Sequence, residues 1–206
     1  MKYEWRKQDK KIYLPRKYPE LVQIPPMKYF MIDGRGNPND EAFSEVIGVM
    51  YSLSYAIKMM PKSGEVPEGY FDYTVFPLEG IWDLDEEGKK NKTLDKDRLV
   101  YTLMIRQPDF VNEELARRVI DRTKIKKPHV LLEKVKFGTL EDGPCVQMMH
   151  IGSYDTEPES FKLMEEFCND NGLKRKELNH REIYISDFRK TDPEKLNTVL
   201  RFKVGK

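Results

Sequence analysis

The sequence predicts an α+β fold, a tandem pseudo-twofold repeat of strand-helix-strand-strand units that form a central ligand groove. Three observations predict it. Strand-like and helix-like hydrophobic periods alternate along the chain. Two apolar strands end in glycine, Phe30-Met31-Ile32-Asp33-Gly34 and Met148-Met149-His150-Ile151-Gly152, and each is followed by a helix-face phenylalanine, Phe43 or Phe161, at the same spacing. Each half also carries a glutamate just before an aromatic residue in a strand-like run: Leu78-Glu79-Gly80-Ile81-Trp82 and Glu182-Ile183-Tyr184.

Element by element, residues 1–27 are polar and punctuated by Pro15, Pro19, Pro25 and Pro26, which reads as an extended N-terminal arm. Residues 28–127 form the first α+β repeat with a connecting helix. Lys28 to Gly34 is a short buried strand, and the turn through Asn37-Pro38-Asn39-Asp40 offers a helix cap. Phe43, Val46, Ile47, Met50, Leu53 and Ile57 then keep helical spacing, with Tyr51 and Tyr55 on an adjacent face. Tyr70 to Leu84 reads as an aromatic strand disturbed at Pro77 and Gly80, and Leu99 to Ile105 as a continuous buried strand. A helix over 112–125 carries Leu115, Ala116, Val119 and Ile120 on one stripe. Residues 128–206 form the second repeat. Val130 to Phe137 alternates like a half-exposed strand, and Cys145 to Ile151 follows the Glu141-Asp142-Gly143-Pro144 turn. Thr156-Glu157-Pro158-Glu159 has the form of a capping box before a helix with Phe161, Met164, Phe167 and Cys168 inside. Glu182 to Ser186 and Thr198 to Val204 are the last strands, and the two repeats together make one domain.

Composition narrows the function classes. Among 206 residues, 36 basic and 35 acidic side chains balance, so no net field draws nucleic acid or an anionic membrane. No apolar run approaches the roughly 20 residues that span a bilayer. Cys145 and Cys168 lie at no metal-like spacing, and the chain opens without an apolar signal region; the expectation is a cytoplasmic protein with two reduced thiols. His129, His150 and His180 are too scattered to propose a ligand set, so neither metal nor cofactor is expected. Asp33-Gly34-Arg35-Gly36 lacks the spacing of a phosphate loop.

At Ile24-Pro25-Pro26-Met27, Phe30 to Pro38 and Phe76-Pro77-Leu78-Glu79-Gly80-Ile81-Trp82, the chain resembles the GyrI-like small-molecule-binding family. His150-Ile151-Gly152-Ser153-Tyr154, Arg181-Glu182-Ile183-Tyr184 and Val199-Leu200-Arg201-Phe202-Lys203-Val204 resemble the same module in the second half. The resemblance covers about residues 20–206. It extends to the effector-binding domains of multidrug-responsive regulators and to cyclopropanoid cyclopropyl hydrolases. It implies a central cavity for aromatic, often cationic, hydrophobic compounds. Some stand-alone members open the strained cyclopropane of DNA-alkylating natural products by hydrolysis. The regulators' DNA-binding domain has no counterpart in this sequence, so direct nucleic acid binding is not expected.

Glu182 is the first candidate catalytic residue, because a carboxylate among apolar strand neighbours is costly to desolvate without a partner or a task. Alternation puts Glu182 and Tyr184 on one face and Ile183 and Ile185 on the other. If the isoleucines face the helix layer, the glutamate and tyrosine face the groove; a solvated edge-strand glutamate is the alternative. The resemblance implies that the glutamate of this motif lies in the cavity. Glu79 is its counterpart by repeat, and a bulge near Gly80 is needed for Glu79 and Trp82 to reach one site. Trp82, Tyr51, Tyr55, Tyr154, Met31 and Met149 are candidate ligand-binding residues, with core packing as the alternative for each. Two functional classes follow: a metal-independent hydrolase in which a carboxylate activates water and a tyrosine stabilises the leaving oxygen, or a non-catalytic sensor or sequestering module.

Overall fold

The longest helix and the longest buried strands form where a hydrophobic period runs uninterrupted, as in Glu41–Lys58 and Leu99–Gln107. The computed structural model describes residues 2–91 and 93–206. In chain order its main elements are α1 (Trp5–Gln8), α2 (Lys10–Tyr13), β1 (Glu20–Ile24), β2 (Met27–Arg35), α3 (Glu41–Lys58), β3 (Leu78–Leu84), β4 (Leu99–Gln107), α4 (Glu113–Lys126), β5 (Lys136–Leu140), β6 (Gly143–Ile151), α5 (Glu157–Asp170), β7 (Lys174–Arg175), β8 (His180–Tyr184) and β9 (Asn197–Gly205). The fold is α+β with antiparallel ladders. The elements group into two compact units: Met27–Leu78 and Leu84–Leu140 with the N-terminal residues to Glu4, and Trp5–Pro26, Glu79–Asp83 and Glu141–Lys206. No helix among the described residues is long and apolar enough to cross a membrane.

In the first unit β2 pairs antiparallel with β4 and with β5. The apolar stripe of α3, including Phe43, Val46, Ile47, Met50, Leu53 and Ile57, is buried and packs on β2 and β4. Asp40 precedes that helix in extended conformation without a side-chain cap bond, whereas Asn112 caps α4 by accepting from the Leu115 amide at 2.9 Å. Gly34 sits opposite Tyr101 in the ladder, and a Cβ there would strike the tyrosine ring.

In the second unit the strands run in the order β1-β6-β9-β8-β3, with β7 paired to β9. One face is covered by α5: Val146, Met148, Leu200, Phe202 and Val204 pack with Met164 and Cys168. Each large apolar side chain so buried contributes about 1.5–3 kcal/mol. The other face is polar at its centre. Arg201, 1% exposed, donates to Gln147 Oε1 at 2.8 and 3.1 Å and to the Ile12 carbonyl at 2.6 Å; Gln147 Nε2 donates to the Lys11 carbonyl at 2.7 Å.

Those contacts explain the first departure from the sequence reading. The described part of the expected 1–27 arm is not extended: residues 5–24 fold into α1, α2 and β1, because the carbonyls at the end of α2 cap buried side chains of β6 and β9 and β1 extends the sheet beyond β6. The boundary between the halves also moves. β5 pairs with β2, so the first unit runs to Leu140 rather than to residue 127. Strand structure in the Tyr70–Leu84 run starts only at Leu78, after Pro67, Gly69 and Pro77; before it, Tyr73 makes a single bridge to Tyr3. Val130–Lys134 is a 3-10 helix, begun where His129 Nδ1 accepts from the Leu131 amide, and β5 follows it. The capping box before α5 does not form: Thr156 Oγ1 donates to the Ser153 carbonyl at 2.8 Å and makes no cap bond.

Candidate functional site

β8 and β3 are antiparallel neighbours with a regular register: Glu79 faces Ile183, Gly80 faces Glu182, Ile81 faces Arg181 and Trp82 faces His180. No bulge interrupts these pairs, so alternation sorts the side chains cleanly. His180, Glu182, Tyr184 and Trp82 share one face. Glu79, Ile81, Arg181 and Ile183 share the other. Glu182 also pairs with Leu200, whose side chain belongs to the α5-covered core, so Glu182 and Tyr184 point to the helix side of the sheet. Ile183 therefore faces away from α5, so the condition on which the sequence put Glu182 and Tyr184 in a groove, isoleucines against the helix layer, is not met.

On that face the side chains form one connected set. The Trp82 indole donates to the Tyr184 hydroxyl at 2.7 Å, and that hydroxyl donates to Glu182 Oε2 at 2.8 Å. His180 Nε2 lies 3.0 Å from Glu182 Oε1. Glu182 is 9% exposed. Phe161, from α5, makes a T-shaped contact with the His180 ring, with centroids 4.7 Å apart. Tyr154, in the turn leading into α5, stands edge-on to Tyr184 at 6.2 Å and 89°. Burial first, and the Glu182 charge second, push both the Tyr154 and the Tyr184 phenols upward, so both keep their protons.

The sequence reading missed Glu157. Read only as part of a capping box, it is the first residue of α5, with Pro158 behind it in the first turn where no helical N–H is required. Its side chain is 7% exposed, and Oε1 makes no hydrogen bond among the described residues. Burial, the Glu182 charge and then Asp155 push its carboxyl well above the ordinary range. A ligand oxygen of Glu157, one of Glu182 and a ring nitrogen of His180 all lie within 4.8 Å of one another. The signal for it was a glutamate immediately before proline at a helix start, a pattern that also fits a solvated first turn.

Glu79 is 0% exposed on the opposite face, accepting from Arg181 Nη1 at 2.7 Å and from the Tyr13 hydroxyl at 3.2 Å. Arg181 Nη2 also meets Asp142 at 2.9 Å. Met149 is buried opposite Val199 and therefore on the Glu79 face. Tyr51 and Tyr55 stand together on α3 with ring centroids 6.3 Å apart, and Tyr55 is half exposed. Met31 lies in β2 beside Gly138 of β5. Tyr51, Tyr55 and Met31 belong to the first unit, whereas Glu182 belongs to the second. His150 is buried and holds Ser160 Oγ at 2.9 Å and the Ser153 carbonyl at 3.0 Å, which ties the turn at Gly152 to α5.

The set offers two buried carboxyls of unlike character, an imidazole and four aromatic rings, those of Trp82, Tyr154, Phe161 and Tyr184. One carboxyl accepts directed hydrogen bonds, and the other favours its proton. Two solved structures from Listeria innocua, each described as a hydrolase, are similar over the whole chain. One shows 37% identity and a TM-score of 0.91, covering 100% of both chains. The other shows 36% identity and a TM-score of 0.89, covering 99% of this chain and 100% of that one. The C-terminal domain of EcmrR has the same fold at 15% identity, with a TM-score of 0.55 over 91% of this chain and 97% of its own. No curated protein matches the chain. The family described as the GyrI-like small molecule binding domain matches residues 18–204. The chain therefore belongs to the GyrI-like small molecule binding domain family.

Proposed function

We propose that this protein binds hydrophobic aromatic compounds, cationic ones included, against the Glu182–Glu157 pair and the rings of Trp82, Tyr154 and Tyr184, and that it hydrolyses cyclopropane-bearing genotoxins there. The observation that carries the reading is the pairing of Glu182, oriented by Tyr184 and His180, with a second buried carboxyl that favours its proton. A hydrogen-bonded carboxylate beside a carboxyl that favours its proton suits base and acid roles at one site. The description of two full-length relatives as hydrolases adds support.

Water attacks the cyclopropane carbon and gives a proton to Glu182 as the new C–O bond forms. The strained C–C bond breaks, and its electron pair moves through the conjugated ring system to the carbonyl oxygen, which takes a proton from Glu157. A proton then passes from Glu182 to Glu157, and the site is restored with one water added to the substrate. Ring strain supplies much of the driving force, so positioned acid and base catalysis, about 10²–10⁴-fold per proton transfer, is a sufficient contribution from the protein. Tyr184, whose phenol burial and then the Glu182 charge push upward, keeps its proton and donates a hydrogen bond to Glu182; its task is to aim the carboxylate. Glu79, tied to Arg181 on the other face, holds the sheet.

For a cation the same site acts through charge. A buried carboxylate beside aromatic faces favours a flat positive ligand both by Coulomb attraction and by cation–π contact. Without a reactive ring in the ligand, that arrangement gives sensing or sequestration.

The test is to incubate the protein with a cyclopropane-containing DNA alkylator and follow the product by mass. The expected result is catalytic conversion to a product heavier by one water, lost in Glu182→Gln and reduced in Glu157→Gln. Stoichiometric binding without turnover overturns the hydrolytic part of the proposal and leaves the binding part.

A further inference from the structure

We propose that Glu157, His180 and Glu182 form a binding site for one divalent transition-metal ion of the zinc type. The three donors come from two elements that the fold holds face to face. His180 and Glu182 are two residues apart on one face of β8, and Glu157 starts α5, which covers that face. Their ligand atoms lie within 4.8 Å of one another, and the His180 Nε2 to Glu182 Oε1 separation is 3.0 Å. A zinc ion with bonds of about 2.0–2.2 Å needs neighbouring donors roughly 3.0–3.5 Å apart, so one edge of the polyhedron is already set and only Glu157 must close in. Glu157 Oε1 makes no hydrogen bond among the described residues although its residue is 7% exposed, and a buried carboxylate oxygen without a donor calls for a proton or a cation.

The charge and donor type select the ion. Two ionised carboxylates carry two negative charges, which a divalent ion neutralises and a monovalent one does not. An imidazole nitrogen among the donors favours zinc, nickel or copper over magnesium and calcium, which prefer oxygen alone. The support around the donors is also in place. Tyr184 donates to Glu182 Oε2, leaving Oε1 for the ion, and Phe161 fixes the plane of the His180 ring. The amino end of α5 opposes a cation with a partial charge of about half a unit, which two full carboxylate charges outweigh. In the bound form Nε2 gives its lone pair to the ion, the imidazole keeps its proton on Nδ1, and the proton on Glu157 is released to solvent.

This inference does not rest on the hydrolytic reading. The ion and an aromatic ligand would use the same carboxylates, so zinc would act as a competitor, and the test is made without any ligand. Equilibrium dialysis of the full chain against Zn²⁺ at neutral pH is expected to give one ion per chain, undiminished by a large excess of Mg²⁺. Glu157→Gln and His180→Ala are each expected to weaken zinc binding by about tenfold or more, while Cys168→Ser leaves it unchanged. Zinc X-ray absorption on the unaltered protein is expected to show oxygen and nitrogen ligands with imidazole scattering. The proposal is overturned if no zinc binds, if a sulfur shell appears, or if folded Glu157→Gln binds as tightly as the unaltered chain. Should either variant fail to fold, the absorption spectrum of the unaltered protein decides the question.

Discussion

Replacing Glu79 by alanine separates a glutamate that holds the fold from one that serves a ligand. Its carboxylate is fully buried and accepts from Arg181 Nη1 at 2.7 Å and Tyr13 at 3.2 Å. Removing it takes one carboxylate from the buried Arg181, which also meets Asp142 at 2.9 Å, and one acceptor from the Tyr13 hydroxyl. Breaking a buried ion pair from one side costs about 3–5 kcal/mol. At about 2–4 °C per kcal/mol for a chain of this size, the melting temperature should fall by about 6–20 °C. Urea denaturation followed by circular dichroism measures this as a lower midpoint, with the slope unchanged if both end states are preserved. Below the transition, affinity for an aromatic cation should equal that of the unaltered protein. A stability loss under about 1 kcal/mol, joined to a loss of affinity in the folded variant, would refute the assignment of Glu79 to the structure.

Three further outcomes follow from the same geometry. Tyr184→Phe removes the hydroxyl between the Trp82 indole and Glu182, leaving a buried donor and acceptor to find water; about 1–3 kcal/mol of stability should go, with a shift in Trp82 emission. Because the folded Glu157 carboxyl is raised, the native state holds its proton more tightly than the unfolded chain does. The stability this contributes is complete below about pH 4.5 and is lost as pH rises through the folded value; Glu157→Gln should flatten that decline, which runs at up to about 1.4 kcal/mol per pH unit, in urea melts across the range. Gly152 has φ +137°, and a Cβ would lie 3.1 Å from Thr156 Oγ1, so Gly152→Ala should cost about 1–3 kcal/mol in a thermal melt.

Much of the fold was legible because hydrophobic period and turn chemistry agree over long stretches. The α3 stripe from Phe43 to Ile57 and the β4 run from Leu99 are of this kind. The first residues were misread because their proline content argues against long elements, while what orders them is tertiary: the Lys11 and Ile12 carbonyls accept from Gln147 and Arg201. The two strand-end glycines look alike in sequence yet answer different needs. Gly34 clears the Tyr101 ring, and Gly152 supplies a positive φ. Within the site, alternation grouped Glu182 with Tyr184, but it did not say which face α5 covers. Treating Glu79 as a partner required a bulge that the Glu79–Trp82 ladder lacks. Glu157 was hidden because its value lies in a contact between the start of a helix and a strand far along the chain, which no local pattern encodes.

The most direct test is a fluorescence titration, read on the tryptophan emission to which Trp5 and Trp82 both contribute, with a flat aromatic cation such as ethidium, comparing the unaltered protein with Glu182→Gln. Gln keeps the shape and can still accept from Tyr184, so the fold and the rings stay in place while one charge is lost. The account predicts saturable quenching in the unaltered protein and an affinity at least about tenfold weaker in Glu182→Gln, equivalent to about 1.4 kcal/mol. Equal affinity in the two proteins, with both fully folded, would contradict it.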